Sequence, residues 1–376
     1  MLCENIMKIL HISRRFYPSI GGTERYIYEV SRRLIARNHE CRVLTIDRDI
    51  IDVCFKDLPP KDIVDGIEVV RINAFGSYKK PIPVSWQRII ESLKWADIVH
   101  IHDVRMLYET ALIMKHILRY KLFLSTHGFI FHTKWRRHLK DILFRFYYLP
   151  TMKIFDCVIA VSLQDADLLA ETGLNNMEVL ENGIDFQKFS SAGRMPVRGS
   201  LLYFGRIDKN KGLEGLFNCL SLIKDKTWVL DIAGSGSPDY ISTLRKMTIQ
   251  CGISERIIWH GYAGDEALLD MLARSHLCIF PSSYEGFGLT LLEAMAAGVV
   301  CVASDIPAYA RMLSPGHSGF LTDFNDISAS SHLISKLLEE NMDRFNDICE
   351  NARGFAKGYD WTLKIDRLIS LYKAKK

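Results

Sequence analysis

The apolar run Leu277-Cys-Ile-Phe280, closed by Pro281-Ser-Ser-Tyr284 and followed at once by Glu285-Gly-Phe-Gly-Leu-Thr-Leu-Leu-Glu293, leaves this chain few ways to fold. Four apolar residues ended by Pro and Ser read as a buried strand running into a turn. Leu289, Leu292 and Met295 then recur at the helical period as far as Gly298, a C-cap residue. Strand, glycine turn and helix N-terminus form a place where backbone N–H groups and the helix dipole hold an anion. Two carboxylates belong to the same element, Glu285 in the turn and Glu293 in the second helical turn. A carboxylate repels phosphate but is a strong acceptor for sugar hydroxyls. The pair therefore fits a phosphate-bearing ligand with hydroxylated groups on both sides, a nucleotide sugar. The plainer alternative is a surface glutamate and a helix glutamate near a dipole.

The same alternation recurs along the chain. Lys8-Ile-Leu-His-Ile12 reads as a strand, Gly21-Gly22 as a turn, and Thr23 to His39 as a helix with Tyr26, Val30 and Leu34 on one face. Further strands are expected at 42–46, 67–72, 98–101, 122–126 and 156–162, which argues for a parallel sheet covered by helices. Residues 186–196, rich in Ser, Gly and polar residues, read as a linker, after which the pattern restarts at Leu201-Leu-Tyr-Phe204. Strands near 228–236, 257–261, 277–280, 300–304 and 319–323 complete a second sheet. A chain of 376 residues suits two domains of about 180. Boundaries are expected at 1–185 and 186–355, with 356–376 ending in an amphipathic helix that carries Leu363, Leu368, Ile369 and Leu371.

Ligands of parallel sheets gather beyond the carboxyl ends of the strands. Three groups stand at such ends besides the two glutamates. Gly21-Gly22 lets a backbone approach a ligand closely. His127 reads either as a hydrogen-bonded structural residue or as a catalytic one. Arg206 and Lys211 bracket the loop Gly205-Arg-Ile-Asp-Lys-Asn-Lys-Gly212, two cations suited to a leaving diphosphate where no metal-ligand cluster is visible. Gly234-Ser-Gly236 is a glycine turn that could approach a nucleotide, and Tyr262 follows the Gly261 turn.

Charge is uneven. Residues 1–180 hold 26 Lys/Arg against 21 Asp/Glu, leaving 22 against 23 for the rest. Part of the surplus lies in 132–153, with six Lys/Arg and one acid among Trp135, Phe144, Phe146, Tyr147 and Tyr148. Lys134, Trp135, Arg136, Arg137, Lys140 and Arg145, with the stripe Leu139, Ile142, Leu143 and Phe146, have the composition of a helix lying on an anionic membrane surface. A domain-packing helix with a solvated basic face has the same composition. Nucleic acid is disfavoured, since no second basic or aromatic platform exists. Nothing approaches the roughly 20 apolar residues of a membrane-spanning helix. No signal peptide is evident, and the first six residues read as an extension before Met7. The nine cysteines are scattered without CxxC spacing, as expected of buried thiols in a reducing compartment.

Glu285-x7-Glu293 with its internal Gly-Phe-Gly-Leu, preceded in order by Gly21-Gly22, His127 and Arg206-x4-Lys211, resembles the retaining nucleotide-sugar glycosyltransferases of family 4. The resemblance spans nearly the whole chain. It implies the GT-B fold, an α/β architecture of two Rossmann-like parallel-sheet domains facing a central cleft, with the last helix crossing back to the first. It implies that Glu293 binds ribose hydroxyls, that Arg206 and Lys211 neutralise the diphosphate, and that Glu285 with Gly286, Phe287, Gly288, Leu289 and Thr290 holds the sugar. By the same likeness the glycine loop at Gly21 and Gly22 faces the diphosphate and sugar, His127 contacts the sugar from the other domain, and Tyr262 lies near the base. No cofactor or metal is expected beyond the nucleotide diphosphate sugar. Thr126-His-Gly-Phe-Ile-Phe-His-Thr133 resembles bacterial mannosyltransferases that extend lipid-linked saccharides. The expectation is thus a cytoplasmic enzyme bound peripherally to the inner face of the membrane. It would move a hexose, mannose from GDP-mannose first, to a lipid-linked saccharide acceptor. A UDP-sugar-using transferase, a non-hydrolysing sugar-nucleotide epimerase and an inactive membrane-bound assembly partner are the alternatives.

Overall fold

The computed structural model describes residues 6–19, 21–49, 56–75, 81–127, 142–225 and 227–374. The chain divides into two compact units, residues 1–182 with 364–376 and residues 183–363.

In the first unit the strands of the main sheet are β1 (Lys8–Ile12), β2 (Glu40–Ile46), β3 (Lys61–Val64), β4 (Ile67–Ile72), β5 (Ile98–Ile101), β6 (Lys121–Ser125), β7 (Cys157–Ala160) and β8 (Met177–Val179). They lie in the order β8-β7-β6-β5-β1-β2-β4-β3. All neighbours pair in parallel except β3, which runs antiparallel to β4. Period-two alternation sorts the buried side chains. Leu10, Ile12, Val99, Ile101, Leu122 and Leu124 join one apolar layer. His11, His100, Phe123 and Ser125 alternate with them and face the other way. On that second side the last helix, Trp361–Lys373, seats Tyr372, with its ring 4.9 Å from Phe123 and its hydroxyl 2.6 Å from His100 Nδ1.

In the second unit the strands are β9 (Ser200–Phe204), β10 (Val229–Ala233), β11 (Ile257–Gly261), β12 (Leu277–Phe280), β13 (Val300–Ser304) and β14 (Phe320–Thr322). Their order is β11-β10-β9-β12-β13-β14, parallel throughout. The two faces carry separate apolar cores, as expected of a parallel sheet covered on both sides. One expectation is corrected here. The stretch read as a linker forms a helix, Phe186–Ser190, whose Asp185 side chain accepts from Lys188 N. Phe189 and Ala192 are buried in the core of the second unit with Ile184. Polar composition outweighed two well-placed apolar residues in the sequence reading. The predicted glycine turn at Gly234 and Gly236 also has a packing role: a Cβ on Gly234 would lie 1.8 Å from the Gly205 carbonyl oxygen, and one on Gly236 would lie 2.2 Å from that of Ile207.

Tyr372 fills a buried position and gives His100 one of its two partners. Tyr372→Phe keeps the packing but leaves a ring nitrogen unsatisfied, which costs about 1–3 kcal/mol. The expected result is a lower thermal unfolding midpoint for Tyr372→Phe, measured by circular dichroism. An unchanged midpoint would show that the hydroxyl contributes nothing.

Candidate active site

In each sheet the strand order reverses beside the first strand: β12 lies next to β9, and β5 next to β1. Adjacent loops diverge at such a switch point and leave a crevice at the carboxyl ends. Arg206, Lys211 and Glu285 belong to the loops after β9 and β12 at this switch, whereas Tyr262 follows the edge strand β11.

After β9 the chain runs through Gly205 into a single 3-10 turn, Lys209–Lys211, capped by Asp208, whose side chain accepts from Lys209 N. Gly212 ends it at φ 67°, and a Cβ there would stand 2.0 Å from the Pro281 carbonyl oxygen. Only glycine permits that approach. The loop after β12 is tied to the same turn by Ser283 N, which donates to Asn210 O at 2.9 Å. Lys211 Nζ therefore meets Glu285 and donates to Oε1. Ser282 Oγ and Tyr309 OH donate to the same oxygen at 3.2 and 3.1 Å. Burial, with Glu285 close by, pushes the Tyr309 phenol well up, so it remains a donor. Among the described residues nothing bonds Glu285 Oε2. One oxygen is thus anchored, while the other can accept from a ligand hydroxyl.

Among the described residues the Arg206 side chain makes only a long contact, 3.7 Å from Nε to Asp208, and it is 70% exposed. It can turn toward an anion without breaking the fold. The helix Leu289–Ala296 starts at Gly288, which offers no capping side chain to its first-turn N–H groups. Gly288 has φ 103°, and a Cβ would lie 2.9 Å from the Tyr309 ring. Gly286 is exposed, Leu289 and Thr290 half-buried, and Phe287 packs 5.8 Å from Tyr359. Glu293 is buried in the second turn of this helix. Tyr262 follows β11, two strands from β9, and is 81% exposed.

In the first unit, a cavity of about 200 Å³ lies at the β1/β5 switch, lined by residues that include Arg14, Arg15, Glu24, His102, Asp103, Arg105 and His127. Gly21 precedes the helix Gly22–Ile35, whose first turn carries buried Glu24 paired with Arg15. The Glu24 carboxylate fills the space a Cβ on Gly21 would need, whereas Gly22 is open. Thr23, read as the start of the helix, lies one residue inside it, and Gly21 caps it without a side chain. Asp103 is held by Arg14 at 2.8 Å and Arg105 at 2.9 Å. Burial alone would raise its carboxyl, but the two guanidinium groups outweigh that and hold it below the usual range. His127 follows β6 at φ 40°, a left-handed conformation that strains a residue with a Cβ. Thr126 beside it is fixed by its hydroxyl, which donates to Asp165 at 2.6 Å. Sequence reasoning assigned no role to Arg14, Glu24, His102, Asp103 or Arg105. The available signal was their shared place at the ends of β1 and β5.

Lys134, Trp135, Arg136, Arg137, Lys140 and Leu139 lie outside the described residues. Where that segment is described, the three stripe residues share one environment and the core contacts come from others. Phe144, Tyr148 and Met152 are buried, while Ile142, Leu143, Phe146 and Arg145 are exposed. Among the described residues, no helix is long and apolar enough to cross a membrane.

Two parallel-sheet units with a cationic loop and paired glutamates at a switch point define a GT-B glycosyltransferase. The profile described as Glycosyltransferase Family 4 matches residues 20–188, and that described as Glycosyl transferases group 1 matches residues 192–355. The chain is 30% identical over 370 residues to the GDP-mannose:cellobiosyl-diphosphopolyprenol alpha-mannosyltransferase of Xanthomonas oryzae, covering 97% of this chain and 96% of that one. A protein of the same name from Komagataeibacter xylinus is 27% identical over 98% of this chain and 94% of its own. Among solved structures, a glycosyltransferase from Rickettsia africae aligns with TM-score 0.78 at 19% identity over 98% of both chains. Sucrose-phosphate synthase from Thermosynechococcus elongatus aligns with TM-score 0.73 at 19% identity, again over 98% of both. The chain belongs to the family 4 glycosyltransferases.

Two glycines of the site separate structural from functional constraint. Gly288→Ala meets both the left-handed backbone and the Tyr309 ring and should lower the unfolding midpoint, by about 1–3 kcal/mol of stability. Gly286→Ala meets open space at an ordinary φ and should leave the midpoint unchanged. Equal behaviour of the two variants in a thermal melt would contradict this geometry.

Proposed function

We propose that this glycosyltransferase moves mannose from GDP-mannose, with retention of configuration, to a lipid-linked saccharide acceptor. What carries the reading is the Lys211–Glu285 pair at the β9/β12 switch point, with Arg206 exposed in the same loop as Lys211. Its support is a likeness, over nearly full length, to relatives named for that donor and a polyprenol-linked acceptor. Arg206 and Lys211 neutralise the departing diphosphate, Glu293 takes the ribose hydroxyls, and Glu285 Oε2 with the first-turn N–H groups holds the sugar. His127 is assigned to the sugar as well. In a front-face transfer through an oxocarbenium-like state, the leaving phosphate accepts the proton of the acceptor hydroxyl. The two cations provide charge compensation without a divalent ion. The test is turnover with GDP-mannose against a panel of UDP-sugars, with and without EDTA. GDP-mannose should be turned over best and EDTA should have no effect. Arg206→Ala should lower turnover by about 10²-fold with folding intact. A preference for a UDP-sugar, or near-normal activity of Arg206→Ala, would overturn the assignment.

The enzyme is also proposed to work at a membrane surface. Exposed Ile142, Leu143, Phe146 and Arg145 support this, as does the surplus of cations in residues 1–180. Each Lys or Arg near an anionic leaflet contributes about 1 kcal/mol, enough in sum for reversible docking. Co-sedimentation with anionic liposomes should be strong at low salt and fall as salt screens the charges. It should be lost when Arg136, Arg137, Lys140 and Arg145 are changed to Glu. A native protein that ignores anionic liposomes at low salt would sink the membrane reading.

A further inference from the structure

Four histidines run through the first unit from its core to the cavity. His11 on β1 is the register partner of His100 on β5, and His102 follows two residues later. His100 has both ring nitrogens engaged, Nδ1 with Tyr372 OH at 2.6 Å and Nε2 with Ser125 Oγ at 2.8 Å. The other three form a chain. His11 Nδ1 lies 2.9 Å from His102 Nε2, and His102 Nδ1 lies 3.0 Å from His127 Nε2.

His11, His100 and His102 are buried, and desolvation carries the imidazole of His11 down to about 3 and those of the other two well below the usual value. All three are neutral at any physiological pH. A neutral imidazole has one N–H and one bare nitrogen, so His102 donates to one neighbour and accepts from the other. Only two polarities satisfy both bonds. In one, His11 Nδ1–H donates to His102 Nε2, His102 Nδ1–H donates to His127 Nε2, and His11 Nε2 is a bare acceptor. In the other every proton moves across, and His11 Nε2 carries a buried N–H. That atom has no hydrogen-bond partner among the described residues. A buried orphan N–H is the rarer and costlier defect, so the first polarity prevails.

We propose that His102, seated by His11, is a positioning residue that fixes His127 as the neutral Nδ1–H tautomer. The functional part of this rests on the assignment of His127 to the sugar. With Nε2 occupied as an acceptor, the one proton of His127 stands on Nδ1 as a donor. Protonating His127 would require Nε2 to donate, which reverses the chain and buries an N–H at His11. The relay thus resists a cationic imidazole beside a sugar that itself becomes cation-like. The charged and titratable groups around it come from every neighbouring element. Arg14 and Arg15 follow β1, Asp103 and Arg105 follow β5, and Glu24 and Tyr26 belong to the helix Gly22–Ile35. Asp165 reaches the loop through Thr126, and Tyr372 comes from the last helix. Ring nitrogens of His11, His100 and His102 lie within 4.8 Å of one another, a spacing that could suit a metal ion. Both nitrogens of His100 and His102 are already committed, so a metal would have to break the chain.

The experiment reads the tautomer directly. In protein labelled with ¹⁵N-histidine, long-range ¹H–¹⁵N spectra distinguish Nδ1–H from Nε2–H, and His127→Gln assigns the signal. Wild type should show His127 as Nδ1–H. His102→Leu removes the donor and should shift His127 toward the Nε2–H form that unconstrained histidine favours. His102→Asn places an amide N–H near the position of Nδ1–H and should restore the wild-type tautomer. In transfer assays, His102→Leu should lower kcat by about 10-fold or more, with little change in the KM for the donor, and His102→Asn should recover most of the loss. An Nε2–H signal in the wild type, a tautomer unmoved by His102→Leu, or Zn²⁺ binding that perturbs these signals at stoichiometric amounts would overturn the proposal. If the tautomers behave as stated but no sugar nucleotide is turned over, the functional assignment fails while the relay stands.

Discussion

The Pro281 carbonyl occupies the place where a side chain on residue 212 would have to be. The second unit's site depends on this backbone-to-backbone contact. It lets the loops after β9 and β12 close on each other, and it delivers Lys211 to Glu285 as a partly shielded ion pair. Away from bulk water such a pair interacts more strongly than an exposed one. The glycines at 234 and 236 extend the same device, because their missing side chains admit the carbonyls of Gly205 and Ile207. The cationic loop is thus held from two sides by backbone alone. Its side chains, Arg206 above all, remain available for a ligand.

The first unit uses a different device. It places polar side chains in the middle of a parallel sheet, where unsatisfied groups are costly, and satisfies them with one another. His100 spans Ser125 and Tyr372, linking the sheet to a helix more than 250 residues away in sequence. His102 spans His11 and His127, linking the core to the cavity. The salt-bridged group of Arg14, Asp103 and Arg105 closes the same end of the sheet. Polar order in the core and polar chemistry at the cavity are therefore built side by side in one sheet.

Much of this molecule is determined by local sequence. Apolar runs of four to six residues alternating with helical periodicity specify parallel sheets, since each element must bury its apolar face against the next. The Ser162 cap on Asp165 N, the strand Leu277–Phe280 and the helix opening at Leu289 follow from residues within a few positions of each other. The order of Gly21-Gly22, His127, Arg206, Lys211, Glu285 and Glu293 was legible for the same reason. All but Glu293, which lies in the following helix, stand after a strand end that its own neighbours define.

Tertiary structure alone decided which strand ends meet. The crossover that sets β12 against β9 joins Lys211 to Glu285 across 74 residues, a separation at which no periodicity operates. Register across β1 and β5 likewise brought His11 to His102, which joins it to His127 in a hydrogen-bonded chain. The helix at Phe186–Ser190 escaped the sequence reading because its stability comes from burying Phe189 in a core built by distant residues, against its polar composition. The stripe at Ile142, Leu143 and Phe146 was visible in sequence, but which side faces water depends on where Phe144, Tyr148 and Met152 find their partners. Local pattern names the elements, and long-range packing selects the neighbours that turn them into a site.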